Sequence, residues 1–148
     1  GNLQPSLAFD ISGNLFAATG GPTDLDGGIT RISPKGVPEE FQFFGGPAMA
    51  FDSAGNFFFT DSDTILKVPA INGDPVFISG IESVSGLAFD GTGNLFATRP
   101  SIGDIVKITP SATRTTFASG LSQPLYLAFE PVLEKLRNIS ARGLVMVF

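Results

Sequence analysis

Two short groups of acidic residues are the parts of this sequence whose spacing could hold a metal ion. Asp24 and Asp26 lie in the Gly-rich stretch 20–28, in the order Asp-x-Asp-Gly that can begin a calcium-binding loop. The further ligands of such a loop do not follow, and a solvated turn explains the stretch as well. Asp61 and Asp63 form the second group, for which a polar turn is favoured over a metal site. Calcium is the one cofactor that these patterns suggest, and otherwise no cofactor is expected.

Residue types that commonly carry out catalysis are missing from the chain. The sequence has no histidine and no cysteine, which removes the most common general base, the most common metal ligand and every thiolate. It also has no Gly-rich phosphate loop, nucleophile elbow or Ser-Lys arrangement. No catalytic residue is therefore predicted, and the expectation is a protein that is not an enzyme.

Charge and hydropathy argue against two further classes. A net charge of −5 is unsuited to a nucleic-acid surface, and no apolar run approaches the length of about 18 residues that a transmembrane helix needs. No signal peptide is recognised in residues 1–4. The charge is uneven: residues 1–134 carry 6 basic and 14 acidic residues, a net of −8, whereas residues 135–148 carry three basic residues and no acid, a net of +3.

An internal repeat organises the chain. Three ten-residue segments align, and they begin at Leu7 (LAFDISGNLF), Met49 (MAFDSAGNFF) and Leu87 (LAFDGTGNLF). A fourth copy begins at Leu127 and then departs from the pattern. The shared phenylalanines are spaced 42, 38 and 40 residues apart, at Phe9, Phe51, Phe89 and Phe129. Such regular self-similarity predicts a repeat architecture.

Each copy contains four short strand signals joined by tight turns. The first two strands are separated by Asp-x-x-Gly-Asn, in which Asp is expected to bond backbone amides, while Gly and then Asn accept a positive φ. The third strand is predicted at 29–32, 65–68 and 105–108, and the fourth is predicted around Phe43, Phe77 and Phe117. No helical period separates these strands, so each copy is predicted to be an antiparallel meander.

The predicted fold is all-β: a β-propeller of four-stranded antiparallel blades, with three full blades and a partial fourth. A single meander cannot bury both of its faces, and packing meanders face to face around an axis solves that. The blades are expected at about 5–46, 47–84 and 85–123, with the partial blade at 124–134 and a basic, apolar tail at 135–148. The cations of the third strand are expected to face solvent or to pair with a neighbouring acid; they are Arg31, Lys67 and Lys107.

The repeat resembles a known group of propellers. LAFDxxGNLF, then IxKI, then TFASGL at Thr116–Leu121, with Pro124 opening the next copy, resembles bacterial NHL-type repeats and the related SMP-30/gluconolactonase-like and virginiamycin-lyase-like repeats. The resemblance covers about residues 5–130. It implies about six or seven blades around a central channel, with ligands at one mouth. It leaves enzymes, ligand binders and interaction platforms open.

The resemblance also implies where a site would lie. Histidine-dependent lyase chemistry cannot carry over, because the chain has no histidine. A lactonase-like metal site would lie at the ends of the second strands, which read Thr19-Gly20, Thr60-Asp61 and Thr98-Arg99. Only one of these is acidic, whereas a divalent ion needs several oxygens. Arg99 is expected to pair with an acid such as Asp61 on the adjacent blade rather than to bind an anion in the channel.

The tail has its own resemblance and its own problem. KLRNISARG, at Lys135–Gly143, is similar to an RNISTRG segment near the end of large secreted bacterial proteins. Five apolar residues of strong β character follow, and left exposed they would promote aggregation. They could fold back as strands of an irregular fourth blade, two chains could pair into one ring of about six to eight blades, or the tail could join subunits head to tail in a filament. A fragment of a longer secreted protein is a fourth explanation.

The sequence therefore predicts a non-enzymatic, secreted, extracellular bacterial module that acts as a structural scaffold or binding platform and assembles with copies of itself. The residues expected at the assembly contact are Lys135, Arg137, Arg142, Leu144, Val145, Met146, Val147 and Phe148. The alternative is a metal-dependent lactonase-like hydrolase, or a binder of a small ligand or carbohydrate at the propeller mouth. That hydrolase would hold calcium or zinc and would lose activity on Asp61→Ala.

Overall fold

The computed structural model describes residues 6–19, 28–41, 46, 48–71, 73–129 and 145–147, and its regular structure in these ranges is entirely β. Three four-stranded antiparallel sheets follow one another, and in each the strand order is the chain order. Blade one contains β1 (Leu7–Phe9), β2 (Leu15–Thr19), β3 (Gly28–Ile32) and β4 (Pro38–Phe41). Blade two contains β5 (Met49–Phe51), β6 (Phe57–Asp61), β7 (Thr64–Val68) and β8 (Val76–Gly80). Blade three contains β9 (Gly86–Phe89), β10 (Leu95–Arg99), β11 (Asp104–Ile108) and β12 (Arg114–Ala118).

A partial fourth blade completes the described structure. Its strands are β13 (Leu127–Phe129) and β14 (Val145–Val147), which pair antiparallel. The prediction of a propeller with three full blades and a partial fourth is confirmed. No helix in the described residues is long and apolar enough to cross a membrane. The first strands β1, β5, β9 and β13 contact one another in succession, so they form the inner edge around which the blades are arranged.

The turn between the first two strands is the same in all three full blades. Each Asp accepts hydrogen bonds from two backbone N–H groups and from the Asn side chain; in blade three the donors are Thr92 N, Asn94 N and Asn94 Nδ2, at 2.8–2.9 Å from the Asp90 carboxylate. The Gly has a positive φ at each copy, 84° at Gly93. The expectation that Asn also takes a positive φ is wrong: its backbone and side-chain N–H groups both donate to Asp, which fixes the turn instead.

These hydrogen bonds change the acidity of the turn carboxylates. Burial acts to raise the pKa of Asp90, but hydrogen bonds from Asn94 and Thr92 outweigh it and hold that pKa below its ordinary value. The pKa of Asp10 is lowered in the same way: burial opposes the shift, and hydrogen bonds from Asn14 and Ser12, with the nearby Arg31 charge, outweigh it. Ionised Asp is thus the form that the turn stabilises.

The second strand of blade two shows how the blades share their cores. Phe57 and Phe59 join the apolar cluster between blades one and two, whereas Phe58 joins the cluster between blades two and three. Successive side chains of a strand point to opposite faces, and both faces of this sheet are covered by another blade. All three phenylalanines are therefore buried, which explains an uninterrupted aromatic run in a strand only five residues long.

One aromatic contact recurs between successive blades. The second-strand phenylalanine of each blade packs against the first-strand phenylalanine of the next, with ring centroids 4.8 Å apart for Phe16–Phe51, 4.8 Å for Phe58–Phe89 and 5.0 Å for Phe96–Phe129. Offset aromatic pairs at such distances add to the free energy gained by burying their area. The same contact therefore sets the stacking of all four units.

The third-strand cations and the fourth strand of blade one agree in part with what the sequence predicted for them. Arg31 on β3 pairs with Glu39 on β4, and the Lys67 Nζ lies 5.6 Å from the centroid of the Phe58 ring. These two cations therefore pack against a neighbouring acid and a ring. The fourth strand of blade one is Pro38–Phe41, whereas Phe43, around which it was predicted, lies outside the described residues.

Candidate functional site

Polar side chains in the described core gather at one end of the blades. We call this the mouth end; there the first strand of each blade begins, the second ends and the third begins. Each of the buried polar residues in the described ranges lies at this end: Ser6, Thr60, Ser85, Thr98 and Asp104. Burying a polar group is costly unless it is hydrogen-bonded. The partners of these groups therefore indicate what the mouth end can do.

Threonine hydroxyls at the ends of the second strands bind backbone groups. In blade two, the Thr60 Oγ1 accepts a hydrogen bond from the Ala48 N–H at 3.2 Å. In blade three, the Thr98 Oγ1 donates to the Leu125 carbonyl at 3.0 Å, and the Ser85 Oγ donates to the same oxygen at 2.9 Å. Leu125 lies just before β13, so two hydroxyls of blade three hold the segment that enters the fourth blade.

A glycine makes this contact possible. A Cβ atom at Gly86 would lie 2.7 Å from the Leu125 carbonyl oxygen and 2.8 Å from the Thr98 Oγ1. Real Cβ atoms do not approach that closely, and one of the two neighbours is backbone. Gly86 is therefore required where the inner edges of blades three and four meet.

An ion pair closes the hairpin between β10 and β11. The Arg99 Nε donates to the Asp104 Oδ1 at 2.8 Å, and the Arg99 Nη2 donates to the Oδ2 at 2.6 Å. The pair is largely shielded from solvent. Hydrogen bonding to Asp104 raises the pKa of Arg99, against the effect of burial. Both carboxylate oxygens and two nitrogens of the guanidinium are thus used within one hairpin.

The predicted partner of Arg99 was wrong. Its acid is Asp104 of the same hairpin, not Asp61 on the adjacent blade. Sequence reasoning missed Asp104, although a signal was present: Arg99 and Asp104 flank the turn between two strands and face each other in the ladder. Opposite charges at directly paired positions are a recurrent stabilising arrangement.

The acidic candidates for a metal site do not converge in the described structure. Asp61 and Asp63 lie exposed at the turn between β6 and β7. Their backbone carbonyls accept hydrogen bonds from the Thr64 Oγ1 at 2.7 Å and the Ile81 N–H at 2.8 Å, respectively. Asp24 and Asp26 lie outside the described residues. Among the residues that are described, no group of three acidic side chains could hold an ion together.

A cleft of about 270 Å³ opens where the four inner strands begin. Its walls are mostly aliphatic, and Ser6 and Tyr126 bring the two side-chain hydroxyls to it. The lining residues are Ser6, Leu7, Met49, Gly86, Leu87, Tyr126 and Leu127. None of these carries a carboxylate or a cationic group. The cleft is therefore suited to contact with an apolar group rather than to acid–base chemistry.

The predicted assembly residues are only partly described. Val145, Met146 and Val147 form β14, which pairs with β13 of the same chain; Met146 lies opposite Ala128. Of the three ways considered for covering the tail, this is the fold-back arrangement. Lys135, Arg137, Arg142, Leu144 and Phe148 lie outside the described residues.

Comparison with solved structures identifies the fold. A chain of a nidogen/laminin complex superposes with a TM-score of 0.71 at 24% identity, over 85% of this chain and 52% of that one. Virginiamycin B lyase from Staphylococcus aureus gives 0.63 at 14% identity, over 85% and 45%. A protein described as a gluconolactonase gives 0.64 at 18% identity, over 85% and 51%. No described protein family and no curated protein matches the sequence.

These likenesses confirm the resemblance to NHL-type and SMP-30-like propeller repeats at the level of the fold. The chain spans about half the length of the solved structures it matches. The names of those structures include a lyase, a gluconolactonase and a protein complex, so the shared fold serves both catalysis and binding.

Proposed function

We propose that this chain is a non-enzymatic β-propeller module that acts as a scaffold or binding platform and associates with copies of itself. The observation that carries the proposal is how the mouth end uses its polar groups. The hydroxyls of Ser85 and Thr98 bind the Leu125 carbonyl, and Arg99 and Asp104 bind each other. These polar groups are engaged in contacts that hold blades and hairpins in place, which supports a scaffold or binding platform rather than an enzyme.

Self-association is supported by an apolar surface and by charge. Leu7 and Phe9 on the first strand of blade one are exposed, although they are large and apolar. Contiguous exposed apolar side chains are typical of interaction sites. The acidic body of residues 1–134 and the basic segment 135–148 attract each other as well, an effect that salt screens.

Light scattering on the purified 148-residue chain tests this function. We expect a mass of at least twice the 15.5 kDa of one chain. A discrete dimer would support ring formation, and long polymers would support a filament. A monomer across the accessible concentration range would contradict the proposed self-association.

A second candidate is a binder of a small ligand, or a lactonase-like hydrolase, at the mouth end. The aliphatic cleft of about 270 Å³ favours the binder, for a small apolar group, whereas the hydrolase is supported only by the likeness to a structure described as a gluconolactonase. Elemental analysis of the chain and a lactone-hydrolysis assay test the hydrolase directly. A stoichiometric divalent ion, with activity that Asp61→Ala abolishes, would replace the scaffold proposal; an ion-free, inactive chain would leave the hydrolase without support.

A further inference from the structure

The open face of blade one has the composition of a blade interface. Leu7 is 65% exposed, whereas the residues at its position in the next blades, Met49 and Leu87, are 3% and 7% exposed. Phe9 is 67% exposed, and its counterparts Phe51 and Phe89 both pack against a preceding blade. Blade one therefore presents to solvent the same face that blades two and three bury against a neighbour.

The residue that covers such a face occupies a fixed register position. The second-strand phenylalanine that makes each inter-blade contact always lies opposite the first-strand alanine: Phe16 opposite Ala8, Phe58 opposite Ala50, and Phe96 opposite Ala88. In each full blade, therefore, the second-strand residue opposite the first-strand alanine contacts the first-strand phenylalanine of the next blade.

The partial fourth blade also has a residue at this second-strand register position. β14 pairs with β13 as a second strand pairs with a first, and Met146 lies opposite Ala128. Met146 therefore takes the register position of Phe16, Phe58 and Phe96. Methionine is a flexible, polarisable residue that contacts aromatic rings favourably, so it can replace phenylalanine at such a position.

We propose that the β13–β14 ribbon of one copy stacks on blade one of a second copy, with the Met146 position of the first meeting Phe9 of the second. This joint rests on the proposed self-association and names its surface. The two contacting surfaces are different, so the contact is heterologous, and it either closes a ring or continues as a filament.

We commit to closure by two copies. Two copies form the smallest ring in which every ribbon is stacked and every open face is covered. Each copy then contributes one ribbon and one open face, and both joints of the ring are the same.

Cysteine cross-linking tests this joint, because the chain has no cysteine of its own. Phe9→Cys and Met146→Cys chains, one of them tagged, are mixed, allowed to exchange, and treated with a short bis-maleimide. We expect the mixed product to predominate and each variant alone to give little. Phe77→Cys, on the outer strand of blade two and similarly exposed at 61%, replaces Phe9→Cys as the matched control and should not react with Met146→Cys. Ala128→Cys, which lies opposite Met146 on the same face of the ribbon and is exposed, substitutes if Met146→Cys lowers the yield of folded protein.

The outcomes separate the joint from the proposed function. Oligomers that form without a link between positions 9 and 146, or that link position 9 to position 9, would overturn the joint and leave self-association standing. A monomeric wild-type chain would overturn both. The double variant Phe9→Cys/Met146→Cys should give one covalent dimer; a ladder of larger products would overturn closure by two copies.

Discussion

Phe58 of blade two packs against Phe89 of blade three with their ring centroids 4.8 Å apart and their planes inclined by 67°. Phe58 comes from a second strand and Phe89 from the following first strand, so the contact crosses from one blade to the next. The equivalent pairs on either side have nearly the same spacing. The blades are thus held together by one contact used repeatedly, which is the nearest-neighbour energetics expected of a repeat protein.

Truncation of Phe58 should therefore weaken the contact between blades two and three and so lower the stability of the fold. We expect Phe58→Ala to lower the free energy of unfolding by about 3–5 kcal/mol, since it removes a buried ring and leaves a cavity. Urea denaturation followed by circular dichroism measures the loss. The control is Phe77→Ala, whose ring is largely exposed and whose loss should be below about 1 kcal/mol. Equal losses for the two variants would contradict the packing described here.

The Asp-x-x-Gly-Asn turn should contribute to stability through its carboxylate. Asp90 accepts hydrogen bonds from Thr92 and Asn94, so Asp90→Ala leaves several donors without their partner. We expect a loss of about 1.5–3 kcal/mol by urea denaturation, and a smaller loss for Asp90→Asn, which keeps an acceptor oxygen. Asp74→Ala, at an exposed position outside these turns, is the control and should change little.

The same turns predict acid sensitivity. The pKa of Asp90 is lower in the folded chain than its ordinary value of 3.8, so ionised Asp90 stabilises the fold above that pH. The contribution is lost as the pH falls through the lowered folded-state pKa. We expect the stability difference between wild type and Asp90→Asn to be full at neutral pH and to shrink below the ordinary value. A difference that stays constant down to the acid transition would contradict this assignment.

The Arg99–Asp104 pair should behave as a coupled unit. Removing one partner of a shielded ion pair leaves the other uncompensated, and we expect Arg99→Met or Asp104→Asn to cost about 3 kcal/mol. The double variant should cost less than the sum of the two, because neither charge is then left alone. A double-mutant cycle by urea denaturation measures the coupling. Additive losses would show that the two side chains act independently.

Local chemistry explains how much of the fold could be predicted. The Asp-x-x-Gly-Asn turns depend on residues within five positions of one another, and they recur within a ten-residue segment repeated about every 40 residues, so the blades could be recognised from sequence. The details that failed depend on three-dimensional geometry. Asn94 was expected at a positive φ, but its side chain instead reaches the Asp90 carboxylate.

The site was harder to predict for the same reason. Asp104 becomes the partner of Arg99 only because the hairpin returns it to the opposite strand, and the Thr98 hydroxyl meets the Leu125 carbonyl only because the next blade packs there. The pairing of β14 with β13 joins segments that residues 130–144 separate in the chain, and sequence alone left it as one of several arrangements. The contacts of Thr98 with Leu125 and of β13 with β14 join distant segments and have no local pattern, whereas Arg99 and Asp104 flank one turn and did offer a local signal.

If the open face of blade one is an interface, the solution mass of two matched variants reveals it most directly. Phe9→Asp places a charge on that face, whereas Phe77→Asp places the same charge at a similarly exposed phenylalanine on an outer strand. We expect light scattering to find wild type and Phe77→Asp as dimers and Phe9→Asp as a folded monomer, with its dimer weakened by about 30-fold or more. A Phe9→Asp chain that dimerises as well as Phe77→Asp would contradict the claim.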